Sequence, residues 1–401
     1  MMRFLSLLLS VFLFVPSIAQ KKEIRQARTD IKNRSNLENV ESTMRNLLKD
    51  SANRRNVKIY HTLADAVRAQ YEAANEKLYL KENTDTAAFF NTARKMFLAF
   101  ESLDSIDMLP NEKGKVKLRF RKKNAEYLNK YKRNLYNGGI FFVRKKDFGP
   151  AYDILDTYID CNRQPLFSGN DESAGDSLFP SAAFWTMFCG YKLGRPDSAL
   201  KYSSLALESK TYRRRAFTYM AEAYLQKKDT LKYVETLKRG FDENKRSKFF
   251  FTRLMDYYNN SNQLDSAMNV VDTALKNDST NTLFLFAKSN MALNMGKYAE
   301  CIEISDTLIA RNDTFPDVFL NAGVSYLNMA LALDKDVKSK KKYKNKILDY
   351  YLRALPYMER YKAMAPDDKE KWAPSLYNIY LKLNMGRKFE EISEVLRQMR
   401  K

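Results

Sequence analysis

The sequence predicts an all-α protein built from repeated helix pairs, and three observations carry that prediction. Glycine and proline are scarce, at 12 and 10 of 401 residues, which disfavours an all-β sandwich with its many turns. Residues that favour helices, such as Leu, Ala, Lys, Glu and Met, dominate the chain. Amphipathic segments of helical length recur at one fixed spacing, the one that separates Ala267 from Cys301.

The helix pair is clearest around Gly296. The apolar residues of Leu283–Met295 and of Ala299–Ala310 follow the period of an amphipathic helix on either side of it. A glycine ends the first helix because it tolerates a left-handed backbone. Tyr298 is expected to pack at the corner where the second helix starts, so the segment predicts a helix-turn-helix.

This helix pair recurs along the chain. Counting back from Cys301 in equal steps gives Ala267, then Tyr233, then Ala199. The helix before the turn carries tyrosines at the same spacing, with a skip at one repeat: Tyr224, Tyr258 and Tyr326. A helix-turn-helix of about 34 residues with these small residues and tyrosines resembles the tetratricopeptide repeat (TPR) of exported bacterial proteins. The resemblance covers roughly residues 130–401 well and 23–110 poorly, and it departs from the pattern at Tyr233.

The resemblance implies a right-handed α-solenoid of stacked helix-turn-helix repeats. One helix pair cannot bury its apolar face alone, whereas stacked pairs share a continuous core. The expected organisation is a signal peptide at 1–19, an N-terminal helical region with a degenerate repeat at 20–110, a long helix, repeat and loop at 111–179, and a TPR array at 180–401 with a basic insertion near 333–346.

The first residues resemble a secretory signal peptide. Arg3 precedes the apolar run Phe4–Val15, and small residues follow up to Ala19, where cleavage is expected. The alternative is an uncleaved anchor helix, but the run is short for a bilayer, and no later stretch approaches transmembrane length. We therefore expect an exported, periplasmic protein without a transmembrane helix in its mature chain.

The three cysteines are too few for a disulfide framework. Cys301 stands beside Glu300, but it occupies the small-residue position of the repeat, which favours packing over chemistry. Cys161 and Cys189 flank the loop Asn162–Phe179 and are expected either to be buried or to pair with each other.

Catalytic motifs are missing from the sequence. His61 is the one histidine, which excludes HExxH and any metal site built from two or more histidines. Neither GxGxxG nor a P-loop occurs. A two-carboxylate glycosidase is not excluded by residue type, although a convergent pair would be unusual in a repeat array. Asp171, Glu172 and Asp176 lack EF-hand spacing and favour a solvated loop over a calcium site. We therefore expect a non-enzymatic protein that has no catalytic residue and binds no metal or cofactor.

The net charge of +21 indicates an anionic partner or a well-solvated surface. Basic residues cluster at Lys113–Lys123, Tyr212–Phe217 and Lys338–Lys346. Export argues against nucleic acid, and no RNA-binding module is recognisable. Acidic protein segments, phospholipid head groups and envelope polysaccharide are the candidate partners.

The TPR resemblance implies a concave groove, lined by the first helix of each pair, that binds an extended peptide or a partner helix. Carried onto this chain, the groove residues are Phe184, Phe188, Tyr191, Thr218, Glu222, Thr252, Asp256, Asn259, Phe286 and Asn290. Aromatic residues at one end and polar residues along the middle suit a peptide with an apolar anchor. The predicted function is a non-enzymatic scaffold for a protein or peptide, and an acidic one given the net charge. The alternative is a glycan-handling or envelope-associated protein that binds an anionic polysaccharide or a membrane surface.

The tripeptide Asp-Ser/Thr-apolar recurs, for example at Asp104-Ser105-Ile106 and Asp265-Ser266-Ala267. It resembles an O-glycosylation sequon of exported bacterial proteins. Most copies are equally explained as helix N-caps, because Asp and Ser are preferred there. Ser177 lies in the long loop, where no repeat requires it, and is the predicted modification site.

Overall fold

The computed structural model describes residues 20–111, 113–168, 177–311, 316–335 and 337–399. The predicted signal peptide and the acidic loop residues Asp171, Glu172 and Asp176 lie outside these ranges. Within them the regular structure is entirely helical, without a β-strand, so the predicted all-α class is confirmed.

The chain divides into two compact units, residues 1–233 and 234–401. The helices of the first unit are α1 (residues 20–32), α2 (Leu37–Leu47), α3 (Val57–Tyr79), α4 (Thr86–Asp107), α5 (Arg121–Asn129), α6 (Lys132–Arg144), α7 (Phe148–Asp160), α8 (Phe179–Lys192), α9 (Pro196–Leu200), α10 (Ser203–Ala206) and α11 (Arg213–Gln226). The boundary falls within α12 (Thr230–Glu243). The helices of the second unit are α13 (Lys248–Asn260), α14 (Leu264–Asn277), α15 (Thr282–Asn294), α16 (Tyr298–Arg311), α17 (Pro316–Leu333), α18 (Val337–Lys342), α19 (Lys344–Met364), α20 (Lys369–Lys382) and α21 (Gly386–Met399).

The turns within the helix pairs confirm the predicted period. Gly296 has the left-handed backbone expected of it, with φ of 73°. Residues one, two and three repeat lengths before it, Asn262, Lys228 and Gly194, also have positive φ, at 52°, 57° and 65°. Non-glycine residues seldom adopt this conformation, so these four repeats share one turn geometry, whichever residue occupies it.

Consecutive helices pack against one another within each unit, as a helical-repeat solenoid requires. The predicted small-residue positions lie at these contacts, because Ala199, Ala267 and Cys301 are all buried. Two predicted features differ in detail. The long helix expected after residue 111 is two helices, since α5 ends at Asn129 and α6 begins at Lys132. The basic insertion contains the short helix α18 before the partner helix α19 resumes the stack.

All three cysteines are buried and free, so Cys161 and Cys189 form no disulfide. Burial raises the pKa of the Cys189 thiol to about 12 and that of Cys161 well above its usual value. Cys301 Sγ lies 3.4 Å from Ser289 Oγ inside the core. The packing interpretation of Cys301 is therefore confirmed. Thiolates are the reactive form of cysteine, and burial disfavours them at Cys161 and Cys189.

Glu101 makes the stability of the first unit dependent on pH. The thiol of Cys161 donates a hydrogen bond to its Oε1 across 3.8 Å. Burial, aided by the negative charge of Asp160, raises the pKa of Glu101 from 4.5 to about 7. The folded state therefore holds a proton that the unfolded state releases between those values. The free energy of unfolding should fall as pH rises through this window, by on the order of 1–3 kcal/mol.

Glu101→Gln imitates the protonated carboxyl and should remove this pH dependence. The melting temperatures of the wild type and the variant should be similar at the acidic end of the window. Above pH 7 the variant should be the more stable protein. Ser102→Ala, on the exposed side of the same helix, is the control. Melting curves of wild type and Glu101→Gln that stay parallel across the window would contradict the assignment.

Candidate partner-binding site

The first unit carries a surface aromatic cluster, and this cluster is the candidate binding site. The rings of its members contact one another at the surface of α8 and the neighbouring helices. These members are Phe148, Trp185, Phe188, Tyr191, Tyr212 and Tyr219. Three of them are spaced by three residues along α8, which places them on neighbouring turns of one helix side. Phe148 begins α7, and Tyr219 lies in the middle of α11.

Phe188 is at the centre of the aromatic cluster. Its ring centroid lies 5.6 Å from that of Phe148, 5.7 Å from Trp185 and 5.5 Å from Tyr219. The contacts with Phe148 and Trp185 are edge-to-face, the arrangement that the ring quadrupoles favour. The ring of Tyr191 lies 5.0 Å from Tyr219. Three rings thus hold Phe188 in place and the ring of Tyr219 holds Tyr191, while both side chains stay half-buried.

Phe184 corrects the predicted groove. Its side chain is 1% exposed and stacks parallel to Tyr212, with 4.3 Å between the ring centroids. Phe184 is therefore part of the floor beneath the aromatic cluster, and the prediction that it lines an exposed groove is wrong. The cause is that α8 has apolar residues almost all round, so no polar face marks which aromatic side chain is exposed.

Positive charge borders the aromatic cluster. Lys192 Nζ lies 5.6 Å from the ring centroid of Phe188 and 5.7 Å from that of Tyr191, within cation–π range. Arg214 and Arg215 are exposed in the first turn of α11. Burial raises the pKa of Tyr219, and the nearby charge of Arg215 opposes that rise. Exposed cations therefore lie close to the rings of Phe188, Tyr191 and Tyr219.

The predicted groove residues of α11 lie beside Tyr219. Thr218 and Glu222 are both half-buried, one helical turn apart. Thr218 Oγ1 donates to the backbone oxygen of Arg214 across 3.5 Å, so its hydroxyl is used within the helix. The structure thus places Thr218 and Glu222 on the helix that supplies Tyr219.

The remaining predicted groove residues belong to the second unit. Asp256 and Asn259 are exposed on α13, whereas Thr252 Oγ1 donates to the backbone oxygen of Lys248 across 2.9 Å. On α15, Phe286 and Asn290 are half-buried. The fold itself uses part of Asn290, because its Oδ1 accepts a hydrogen bond of 2.6 Å from Asn321 Nδ2.

Asn321 ties Asn290 into a buried polar network. The same Nδ2 lies 3.1 Å from Ser289 Oγ, which in turn lies 2.9 Å from Ser305 Oγ. Ser289, Ser305 and Asn321 are all buried. Buried polar groups need such partners, so this network holds α15, α16 and α17 in register and has no exposed surface to offer a ligand.

Sequence reasoning missed Trp185 and Tyr219. The two residues are one repeat length apart, so they occupy the same position in consecutive repeats. Each directly follows a predicted groove residue, Phe184 or Thr218. An aromatic residue at the same position of consecutive repeats was the signal that could have found them.

Three further expectations concern the surface. Ser177 is exposed in a turn next to the undescribed residues 169–176, and its modification stays a prediction. Among the described residues, no group of three or more His, Cys, Asp or Glu side chains is arranged to hold a metal ion. None of the described helices has the length and apolarity needed to cross a membrane.

The described helices define an all-α helical-repeat protein. No family model matches the chain, and no curated protein matches its sequence. Several solved structures are similar to it. The C-terminal part of a TPR repeat-containing protein from Cytophaga hutchinsonii has 12% identity and a TM-score of 0.41, covering 64% of this chain and 92% of that one.

Two further solved structures, both of tetratricopeptide repeat proteins, are also similar to this chain. A tetratricopeptide repeat protein from Parabacteroides merdae has 17% identity and a TM-score of 0.35, with 66% of this chain and 97% of that one covered. YrrB, described as a TPR protein with an unusual peptide-binding site, has 15% identity and a TM-score of 0.33, with 49% and 90% covered.

Proposed function

We propose that this chain is a non-enzymatic, exported scaffold that binds a protein or peptide partner through the aromatic cluster of its first unit. The observation that carries the proposal is the arrangement of Phe188 and Tyr191. Both side chains are half-buried, yet three rings contact Phe188 and the ring of Tyr219 contacts Tyr191, which holds them in a fixed position. A preorganised aromatic surface loses little conformational entropy when it binds.

The physical properties of the cluster favour one kind of ligand. Tyr and Trp are enriched at the centres of binding sites because they bury a large apolar area and keep a polar group at the edge. Exposed Lys192 lies beside Phe188 and Tyr191, and exposed Arg215 lies near Tyr219. A segment with one apolar anchor flanked by Asp or Glu would satisfy both features.

A display library of random peptides tests the proposal directly. Selection on the intact protein should enrich peptides that carry an aromatic or aliphatic anchor next to acidic residues. Phe188→Ala combined with Tyr191→Ala should weaken the binding of such a peptide by about tenfold or more, since interface aromatic residues contribute more than about 1 kcal/mol each.

Two further variants make the result interpretable. Lys192→Glu with Arg215→Glu leaves the rings in place and should weaken acidic peptides selectively, because it reverses the exposed charges. Tyr79→Ala removes an aromatic side chain that is 85% exposed elsewhere on the unit, and it should have no effect. Equal binding by all variants, or enrichment of peptides without the anchor, would refute the proposal. Collapse of thermal stability in the alanine pair would place both rings in the core.

A further inference from the structure

The loop that joins α4 to α5 carries a second feature, unrelated to the aromatic cluster. We call residues 108–120, of which Glu112 is not described, the basic loop. Its C-terminal end is fixed to α4, because Arg119 donates from Nε to Asp107 Oδ1 across 2.8 Å and its backbone N–H donates to Oδ2 across 2.5 Å. Arg121, just after the loop, binds Asp104 through two hydrogen bonds.

The basic loop alternates cationic and apolar residues. From Lys115 onwards the sequence reads K-V-K-L-R-F, and the backbone of residues 115–118 is neither helical nor turned. Successive side chains of an extended segment point to opposite sides. Lys115, Lys117 and Arg119 accordingly line one pocket, together with Arg55. Val116 and Leu118 are absent from its lining and are 54% and 45% exposed.

This pocket has the size and charge of a site for a small anion. Its volume is about 290 Å³, and its one described carboxylate, Asp107, is already bound by Arg119. Within the described residues, Arg55, Lys115 and Lys117 have no carboxylate within ion-pair distance. Three cations that have no carboxylate partner among the described residues favour a ligand with a concentrated negative charge, such as a phosphate group.

The outer side of the basic loop is apolar. Val116 and Leu118 are 54% and 45% exposed, and Met108, at the start of the loop, is 37% exposed. Single exposed apolar side chains are ordinary, but these three belong to one short loop and none of them lines the pocket. Lys113, Lys122 and Lys123 are exposed beside them. Exposed apolar residues mixed with cations are suited to the interface of an anionic bilayer, where the former enter the acyl boundary and the latter meet head groups.

We propose that the basic loop docks the protein onto the surface of an anionic phospholipid bilayer. The pocket of Arg55, Lys115 and Lys117 receives the phosphate of one lipid head group. Val116 and Leu118 enter the interface beside it. This docking does not depend on the peptide site, because the two surfaces share no residue.

Co-sedimentation of the full chain with lipid vesicles tests the inference. Vesicles that contain phosphatidylglycerol should capture the protein at physiological ionic strength, and vesicles of phosphatidylcholine alone should not. Lys115→Glu with Lys117→Glu should reduce capture about tenfold or more, since each cation near an anionic surface contributes to binding. Val116→Ser with Leu118→Ser should also reduce capture, and what remains should be abolished by high salt.

A matched control distinguishes the pocket from the net charge of the protein. Lys338→Glu with Lys341→Glu makes the same charge change at exposed residues of the second unit, and it should leave capture nearly unchanged. An equal loss in this control would overturn the inference, as would failure of the wild type to bind phosphatidylglycerol vesicles. Melting temperatures confirm that each variant is folded.

Soluble glycerol phosphate separates a lipid site from a site for a free anion. It should not displace the protein from vesicles at millimolar concentration, because it lacks the acyl contacts of Val116 and Leu118. If it does displace the protein, and Val116→Ser with Leu118→Ser binds vesicles normally, then the pocket takes a free anion and the membrane proposal is wrong.

Discussion

Gly190→Ala should destabilise the first unit by about 3 kcal/mol, the upper part of the range for overpacking a core. A Cβ atom at this position would lie 2.5 Å from the backbone nitrogen of Ala199 and 2.8 Å from its Cα. Backbone atoms cannot rotate away as a side chain can. The new methyl group would therefore push α8 and α9 apart and disturb the floor of the aromatic cluster on α8.

Gly149→Ala is the matched control for this prediction. Gly149 lies in α7 of the same unit, and nothing stands within 4 Å of a Cβ added there. The substitution should leave stability unchanged or raise it by about 0.5–1 kcal/mol, because alanine loses less backbone entropy in a helix. Denaturant unfolding of the full chain, followed by circular dichroism, measures both variants. Equal midpoints for Gly190→Ala and Gly149→Ala would show that α9 can move aside at little cost.

The repeat was predictable because two physical requirements recur in the helix pairs. Stacked helix pairs need small residues where the helices meet and a left-handed turn where they reverse. Ala199, Ala267 and Cys301 meet the first requirement. The second is less visible, because Lys228 adopts the same left-handed turn as Gly296 although lysine does not favour it. A period across several repeats revealed what no single turn residue would have shown.

Gly190 shows where the period alone is insufficient. It occupies the register position that holds Tyr224 and Tyr258 in the following pairs. When the repeats are aligned by sequence, Gly190 therefore counts as a position where the repeat tyrosine is absent. The structure shows that its lack of a side chain admits the backbone of Ala199. The short helices α9 and α10, which replace one continuous second helix, accompany this closer approach.

The candidate sites were only partly predictable, for two different reasons. On α8 the sequence identifies a group of aromatic residues, but the exposure of Phe188 and the burial of Phe184 depend on contacts with α11 and Tyr212. At the basic loop the sequence identifies a cationic cluster. The separation of its cations from Val116 and Leu118 depends on an extended backbone anchored to α4.

Asp104 illustrates how a local motif can be misread. As part of Asp104-Ser105-Ile106 it matches a pattern that predicts either a helix N-cap or a glycosylation sequon. The structure places it in the last turns of α4, far from the start of the helix, with 3% of its side chain exposed. Its carboxylate accepts hydrogen bonds of 2.9 and 2.7 Å from Nε and Nη2 of Arg121. Asp104 therefore forms an ion pair that links α4 to the start of α5.

Asp104→Ala should cost about 3 kcal/mol, because it leaves the largely buried guanidinium of Arg121 without its partner. The reverse change, Arg121→Ala, should cost a similar amount for the same reason. Asp104→Leu combined with Arg121→Met should recover most of the loss, since an apolar pair of similar volume needs no compensating charge. A double-mutant cycle made of the wild type, Asp104→Ala, Arg121→Ala and the protein with both alanine substitutions should give a coupling energy well above that of an exposed pair.

Glu76→Ala is the comparison, because its ion pair with Arg34 is 58% exposed on both sides and should contribute less than about 1 kcal/mol. Urea unfolding measures the free energy of unfolding of the four proteins of the cycle, of Asp104→Leu with Arg121→Met, and of Glu76→Ala. If Asp104→Ala and Glu76→Ala shift the midpoint equally, then solvent reaches Arg121 freely and the pair does not anchor the chain. If Asp104→Ala keeps the unfolding midpoint of the wild type but loses vesicle capture, then the ion pair positions the basic loop instead.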